Sequence, residues 1–272
     1  MSIHLMYHDV TEFGNEDSSG FAGAGAARYK LTPREFDSHL DRVAAVIQQP
    51  PLLTTSIDEL QSIGPQSWTL TFDDGGLSAL TEIADKLEAR GWRGWFFVTT
   101  DYIGQPAFCS REQIRELHQR GHVIGSHSCS HPERISHCNW DQLLEEWQRS
   151  CQILSEIIQQ PVTTASVPGG FYSHMVAKAA GEAGIRVLFN SEPTTASYLV
   201  DQTLILGRYS VYRGMPANDV AALMQSSLRR WRQATFWNMK KAGKVLVGPL
   251  YKAIRQQVLT RRFVKPAMSA TS

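Results

Sequence analysis

The stretch WTLTFDDG, residues 68–75, is an apolar run that ends in two adjacent carboxylates and a glycine. Aromatic, aliphatic and β-branched residues over a few positions are typical of a buried strand, and polar residues begin where such a strand ends. Two neighbouring carboxylates repel each other, so Asp73 and Asp74 require either a nearby cation or a solvated loop. Asp-Asp-Gly is also a common turn, and the surrounding sequence has to distinguish these interpretations.

Six further short apolar runs have the same strand character, and segments with helical periodicity separate them. Thr32 as N-cap, Pro33 at the first position and Glu35 at the third are typical of a helix start. The alternation predicts an α/β fold, a distorted (β/α) barrel of about seven parallel strands with functional groups at the strands' carboxyl ends. The predicted strands cover residues 3–7, 68–72, 94–99, 122–125, 163–167, 186–190 and 204–211, and the later helices 78–90, 110–120, 140–159 and 174–183.

The composition is that of a folded protein with a sizeable core. The chain has 272 residues, of which 42% are hydrophobic. No signal peptide is recognisable at the start, and no run of apolar residues is long enough to span a membrane. We therefore expect four reduced cysteines, at positions 109, 129, 138 and 151, and a cytoplasmic location that includes the inner face of the membrane.

A second polar cluster, GSHSCSHP over residues 125–132, follows another predicted strand. His127 and His131 can ligate one metal ion from a helix face or from a loop, and the glycine, serines and proline favour the loop. Two imidazoles and one carboxylate of the 73–74 pair suit Zn²⁺, with positions left for water and substrate. The second carboxylate could then accept a proton from that water. Cys129 is a weaker candidate ligand, because its position points elsewhere if both imidazoles converge.

These two motifs, in this order and each at a predicted strand end, resemble those of the polysaccharide deacetylases, also called carbohydrate esterase family four. The resemblance covers roughly residues 3–211. It implies a distorted (β/α) barrel that uses a divalent metal, often zinc, to remove N-acetyl groups from amino sugars. By the same resemblance, Asp73 is the general base, and Asp74, His127 and His131 are the metal ligands.

Two later motifs of the family depart from the usual pattern. The third motif, Arg-x-Pro, corresponds to residues 166–169. Ser166 replaces the arginine that orients the base in the family. The backbone N–H of Gly169 would stabilise the oxyanion. The late Leu-x-His motif, which supplies the general acid, reads Leu-Gly-Arg and ends at Arg208. Arg208 is therefore a possible substitute for the missing arginine, and the acid has to come from elsewhere.

The early sequence Tyr7-His8-Asp9 offers that acid. Deacetylases of poly-N-acetylglucosamine begin with a similar Tyr-His motif, and the resemblance implies that His8 protonates the leaving amine. A structural role for His8, or an acid supplied by His174, is the alternative. The predicted substrate-binding residues are Tyr7, Asp9, Arg208 and Tyr172. Asp9 would orient His8, and Tyr172 would stack on a sugar ring. Residues 12–27, rich in Gly, Ala and Ser, predict a mobile surface loop, with a lid near His8 as the alternative.

The charge distribution divides the chain in two. Residues 220–272 contain 11 of the 27 Lys and Arg and none of the 26 Asp and Glu. We predict a deacetylase-like catalytic domain over residues 1–215 and a basic amphipathic helical tail over residues 216–272. Basic and aromatic residues at helical spacing fit a membrane surface or glycan-assembly enzymes as partners, with packing back on the barrel as the alternative, and no nucleic acid partner is expected.

The predicted function is a metal-dependent N-deacetylase that acts on a polysaccharide or a lipid-linked glycan precursor in exopolysaccharide biosynthesis. The substrate partner is accordingly an N-acetylated glycan. A deformylase or other amide hydrolase on the same scaffold is the nearest alternative. A non-catalytic metal-binding subunit of a glycan-assembly complex is the alternative from a different class, because two family motifs are altered.

Overall fold

The computed structural model describes residues 2–62 and 67–239. Residues Met1–Arg230 form one compact unit, and Trp231–Ser272 form a second. The first unit contains all the strands and the helices α1–α8 given below. Residues 231–239 of the second unit are helical.

Nine strands form one sheet in the order β7-β8-β6-β5-β4-β3-β2-β1-β9. Every neighbouring pair is parallel except β7 with β8, so the predicted α/β fold is confirmed as a mostly parallel half-barrel. The strands are β1 (Ile3–Tyr7), β2 (Trp68–Phe72), β3 (Trp95–Val98), β4 (Val123–Ser126), β5 (Thr164–Ser166), β6 (Val187–Phe189), β7 (Ser197–Val200), β8 (Thr203–Leu206) and β9 (Tyr209–Ser210).

The sheet has two strands more than the sequence predicted. The single strand predicted over 204–211 is two strands, which are interrupted at Gly207 and Arg208. β7 was not predicted, because three of its four residues are exposed and it therefore lacks a buried apolar run. It pairs with β8 through a tight turn at Asp201, whose φ of 53° lies in the left-handed region.

The helices begin at the capping residues that the sequence contains. Before α2, the Thr32 hydroxyl accepts a hydrogen bond from Glu35 N, and the Glu35 carboxylate accepts one from Thr32 N, which is a capping box. The helices are α1 (Ala24–Ala27), α2 (Pro33–Ala44), α3 (Ile57–Ser62), a π-helix (Ala79–Ala84) leading into α4 (Asp85–Glu88), α5 (Arg111–Gln119), α6 (Trp140–Ile158), α7 (His174–Glu182) and α8 (Ala217–Gln225), with 3₁₀ turns at Glu16–Ser18, Thr100–Tyr102, Ile135–His137 and Pro168–Gly170.

Two apolar clusters bury the faces of the sheet. The larger one contains residues of the strands and the helices that cover them, including Phe36 of α2 and Trp147 of α6. The smaller one contains Trp95, Phe97 and Phe189, and α3 contributes Leu60 to it. Arg208 lies across this aromatic layer, with its guanidinium carbon 5.8 Å from the Phe97 ring centre and 5.9 Å from that of Phe189.

The start of the predicted tail belongs to the first compact unit. α8 packs against α2 and buries Val220 and Leu223, so the predicted boundary at 215/216 precedes a helix that the barrel uses. The division into a catalytic domain and a tail stays a prediction. The basic residues of positions 240–272 lie outside the described residues. Among the helices that the structure describes, none is both long and apolar enough to cross a membrane.

Candidate active site

Parallel strands bring the predicted residues together at one edge of the sheet. Tyr7 of β1 is in register with Phe72 of β2, and the Asp73 backbone N–H donates to the Tyr7 carbonyl at 3.1 Å. The residues that follow these two strands, His8 and Asp73, are therefore neighbours. The His127 backbone N–H likewise donates to a carbonyl at the end of β3, which places the second motif at the same edge.

The three predicted ligands form one group. The carboxylate of Asp74 lies 3.4 Å from His127 Nε2 and 3.9 Å from His131 Nε2. One donor atom from each of the three residues lies within 4.8 Å of the others. Asp74 and His131 have φ angles of 81° and 52°, so both ligands sit in left-handed backbone conformations that non-glycine residues rarely adopt.

Ser166 orients His127 toward Asp74. The His127 Nδ1 atom lies 2.6 Å from the Ser166 hydroxyl oxygen, and that hydroxyl donates to the Asp73 carboxylate at 3.0 Å. Because the hydroxyl proton is used on Asp73, the imidazole must donate from Nδ1, which leaves Nε2 as an electron-pair donor. Burial lowers the pKa of His127 to about 3, and the ring is therefore neutral, as a metal ligand must be.

The donor set fits a divalent metal ion. Burial and the adjacent Asp73 carboxylate raise the pKa of Asp74 well above its usual range. A cation at this position would reverse that effect and hold the carboxylate ionised. One carboxylate and two imidazoles with short separations are a donor set that Zn²⁺ accepts.

Arg208 holds the predicted base. Its Nη1 and Nη2 atoms donate to the two oxygens of Asp73, each at 2.7 Å, and both side chains are buried. Burial alone would raise the pKa of Asp73, but the guanidinium holds it below its usual value. Arg208 also donates to the Asn190 carbonyl and to Thr71, which fixes the fork in one position.

This geometry supports Arg208 as the substitute for the missing motif arginine and corrects its predicted role in substrate binding. The side chain is fully buried, and its donors are directed at Asp73 and its surroundings. It therefore contacts the predicted base and has no exposed surface for a sugar.

Two further substrate-binding predictions are wrong. The Tyr7 ring is 1% exposed and packs in the core between Phe36 and Phe72, so it cannot contact a glycan. Asp9 is also buried, and its carboxylate accepts hydrogen bonds from the hydroxyls of Ser19 and Ser78 at 2.5 and 2.7 Å. Asp9 thus ties the 12–27 segment to the region after β2 instead of orienting His8.

His8 lies beside the base with one ring nitrogen available. Its ring centre is 4.9 Å from that of Tyr29, and its buried Nδ1 atom has no hydrogen-bond partner in the described part of the chain. Burial lowers the pKa of His8, and the negative charge of Asp73 acts in the opposite direction. The alternative acid, His174, is exposed at the first position of α7. The assignment of the acid stays a prediction.

Three other candidates flank the site. Gly169 sits in the 3₁₀ turn after β5 with a φ of 60°, where a Cβ atom would approach the Phe171 ring to 3.1 Å. Tyr172 is half-buried near Tyr198, and burial raises the pKa of its phenol. Their roles stay predictions. Cys129 is not part of the donor group, because its sulfur is directed at the Glu145 carbonyl, 3.9 Å away.

Residues without a recognisable motif also shape the site. Lys30 is buried, and its ammonium donates to the carbonyls of Glu16, Ser19 and Phe21 at 2.8, 2.6 and 2.5 Å. The Phe21 ring packs on the ring of His131 at a centre distance of 4.7 Å. The predicted loop over 12–27 is thus a wall of the site. The lid that was the alternative in the sequence analysis also places this segment near the site, whereas the contact through Phe21 was not predicted.

The fold and these contacts define the protein as an α/β half-barrel with a candidate metal centre beside a buried carboxylate–guanidinium pair. Comparisons with known proteins agree with this description. Residues 61–188 match the family model for polysaccharide deacetylase. The protein named "Putative polysaccharide deacetylase YxkH" of Bacillus subtilis (strain 168) is 29% identical over 226 residues, which are 82% of this chain and 75% of that protein.

Solved structures show the same fold. The Streptococcus pyogenes deacetylase PplD, solved in complex with acetate, superposes with a TM-score of 0.69 at 19% identity and covers 82% of this chain and 97% of its own. IcaB from Ammonifex degensii has a TM-score of 0.63 at 21% identity and covers 83% and 97%. The matched residues 61–188 are therefore identified as a polysaccharide deacetylase domain.

Proposed function

We propose that the protein is a Zn²⁺-dependent hydrolase that removes N-acetyl groups from the amino sugars of a polysaccharide or a lipid-linked glycan precursor, in exopolysaccharide biosynthesis. The observation that carries the proposal is the ionised Asp73, clamped by Arg208 next to the donor group of Asp74, His127 and His131. The match to the family model supports a glycan amide as substrate, and the early Tyr-His motif, which resembles that of poly-N-acetylglucosamine deacetylases, supports the exopolysaccharide role.

Asp73 is positioned to accept a proton from water. Its Oδ1 atom accepts hydrogen bonds from Arg208 and Ser166, whereas its Oδ2 atom accepts one from Arg208. A carboxylate oxygen has two lone pairs, so Oδ2 keeps one for the proton of the attacking water. Since the guanidinium keeps the pKa of Asp73 low, the carboxylate is ionised at neutral pH and ready to act as a base.

The other residues act on the acetamide itself. A divalent ion held by Asp74, His127 and His131 would polarise the acetamide carbonyl and lower the pKa of the attacking water toward about 7. The Gly169 backbone N–H donates to the oxygen that gains negative charge. His8 in its protonated form, which the negative charge of Asp73 favours, would then donate a proton to the nitrogen, so that a neutral amine leaves.

Acetate release from Zn²⁺-loaded protein tests this proposal. We expect release from N-acetylglucosamine oligomers or from lipid-linked glycan extracts, and none from the Asp73→Asn variant. Formate release from N-formylated sugars without acetate release would favour the deformylase alternative. Bound Zn²⁺ without turnover of either substrate class would favour the non-catalytic subunit.

We also propose that the basic tail places the enzyme at the cytoplasmic face of a membrane. In the second unit, Trp231 and Met239 are exposed by 63% and 68%, and Arg232 lies between them in sequence. Exposed aromatic and basic residues on a helix favour an anionic lipid surface. We expect the full chain to sediment with phosphatidylglycerol vesicles and the Trp231→Ala, Arg232→Ala double variant to stay in the supernatant. Equal sedimentation of both would contradict the proposal.

A further inference from the structure

We propose that Glu146 positions the second histidine ligand and thereby sets the metal affinity of the site without contacting the metal. This inference rests on the proposed metal centre of Asp74, His127 and His131. Glu146 belongs to α6, and no motif of the family or of the sequence analysis includes it. Its role follows from what its carboxylate touches.

The Glu146 carboxylate binds the chain between the two histidines. Its Oε2 atom accepts hydrogen bonds from the backbone N–H groups of Cys129 and Ser130, at 2.8 and 2.9 Å. Its Oε1 atom accepts one from the Ser130 hydroxyl at 2.6 Å. A single side chain therefore fixes both ends of the dipeptide that immediately precedes His131.

The segment it binds has an unfavourable backbone conformation. Ser128 and His131 have φ angles of 66° and 52°, and neither residue is a glycine. Such left-handed residues persist where surrounding contacts hold them. Ser128 supplies one contact, because its hydroxyl accepts a hydrogen bond from His131 N at 3.2 Å. The Glu146 contacts are shorter and charge-assisted, which makes them the stronger restraint.

The direction of the restraint matters for the ligand group. His131 Nε2 is the outermost of the three donors, 3.9 Å from the Asp74 carboxylate, and its side chain is 25% exposed. His127, in contrast, is buried and oriented by Ser166. Because His127 has its own partner, release of the Glu146 contacts should displace His131 selectively. Groups that orient metal ligands in this way typically change metal affinity by about 10- to 100-fold.

Glu145 provides a matched control on the same helix. It is exposed, and its carboxylate pairs with Arg149 one turn along α6, at 3.5 Å. Substitution of Glu145 or of Glu146 removes the same charge from adjacent positions. Only the Glu146 substitution removes the contacts to Cys129 and Ser130.

The experiment measures Zn²⁺ affinity by competition with a chelating dye and records the visible spectrum of the Co²⁺-loaded protein. We expect Glu146→Ala to bind Zn²⁺ at least about tenfold more weakly and to alter the Co²⁺ spectrum, with Glu145→Ala like the wild type. Glu146→Gln should regain affinity, because its amide oxygen can accept both backbone N–H groups while its NH₂ donates to the Ser130 hydroxyl.

Glu146→Asp keeps the charge but shortens the reach by one methylene, and it should bind Zn²⁺ more weakly than Glu146→Gln. This comparison decides the question if Glu146→Ala fails to fold, as judged by circular dichroism and the melting temperature of the metal-free protein. Wild-type Zn²⁺ affinity in Glu146→Ala, or in Glu146→Asp, would overturn the inference about Glu146 and leave the proposed metal centre intact. Failure of the wild type to bind either ion would overturn the metal centre and the inference with it.

Discussion

Arg208 supplies the guanidinium that the family motif has at the position of Ser166. Ser166 occupies the position of the motif arginine, and its hydroxyl connects Asp73 with His127. Arg208 follows β8, which is separated from β2 by four strands of the sheet, and still reaches both oxygens of Asp73. The curvature of the sheet brings these two strand ends together, so the guanidinium can come from either position.

Removal of the guanidinium should damage both stability and catalysis. We expect Arg208→Gln to lose about 3–5 kcal/mol of unfolding free energy, because it leaves the Asp73 carboxylate buried without its partner. Turnover should fall by about 100-fold or more, since the base is no longer held ionised and in place. Chemical denaturation and steady-state kinetics measure the two effects. Arg186→Gln, at an exposed arginine before β6, is the control, and full activity in Arg208→Gln would contradict the role.

His8 is the second residue whose role a single substitution can decide. Loss of a general acid typically lowers turnover by about 10²- to 10⁴-fold, and we expect this of His8→Gln with Zn²⁺ affinity preserved. The same substitution at the exposed His174 should change little. A large loss in His174→Gln together with an active His8→Gln would transfer the acid to α7.

At the scale of single residues, the sequence was informative where chemistry restricts the choice. The proximity of Asp74, His127 and His131 was predictable, because few residue types ligate divalent metal ions and both motifs followed predicted strands. The misplacement of Tyr7 has a physical reason, since successive strand residues point to opposite faces and Tyr7 points into the helix layer. The contacts of Lys30 and Glu146 depend on tertiary packing and leave no local pattern.

At the scale of elements, the segment between β1 and α2 matters most for the site. Lys30 uses its ammonium on three carbonyls of this segment, and Glu16 forms an ion pair with Arg213. These contacts hold Phe21 against His131. The composition predicted a mobile surface loop, because Gly, Ala and Ser carry no periodicity. The buried lysine that organises the segment lies just outside it.

Replacement of that lysine should loosen the segment. We expect Lys30→Met to exchange the backbone amides of residues 14–23 with solvent at least about tenfold faster, since hydrogen bonds from a charged donor each contribute about 1.5–3 kcal/mol. Hydrogen exchange followed by mass spectrometry measures this directly. Lys178→Met, on the exposed side of α7, should leave the hydrogen exchange of these amides unchanged. Unaltered exchange in Lys30→Met would show that the Lys30 ammonium does not hold the segment in place.

Helices and caps were more predictable than strands. Thr32 and Glu35 form the predicted capping box, and glycines with positive φ, Gly91 and Gly121, follow α4 and α5. The edge strand β7 was missed because exposed strands lack the apolar run by which buried strands are recognised.

At the scale of the whole molecule, buried histidines link folding to pH. Burial lowers the pKa of His122 to about 4, and its ring bonds Glu88 and the Gly94 backbone. The unfolded chain binds a proton at this site below about pH 6.5, whereas the folded protein does so only near pH 4. Stability should therefore fall as the pH is lowered through this window.

A substitution isolates this contribution. Between pH 6.5 and 4, His122→Gln should reduce the pH dependence of the unfolding free energy by up to about 1.4 kcal/mol per pH unit, which corresponds to one proton. Urea denaturation at several pH values measures the slope. His137→Gln, at an exposed histidine, is the control, and an unchanged slope in His122→Gln would show that this ring does not titrate with folding.

The Asp73–Arg208 pair also constrains the order in which this barrel can change over generations. Positions 166 and 208 both face one carboxylate in a space with no solvent to screen charge. Arginines at both positions would repel each other. Without an arginine at either position, the buried carboxylate would have no positively charged partner. A lineage that moves the guanidinium from one position to the other therefore passes through an impaired ancestor or makes both replacements almost together. The two positions are expected to co-vary among descendants, each tolerating arginine only when the other has given it up.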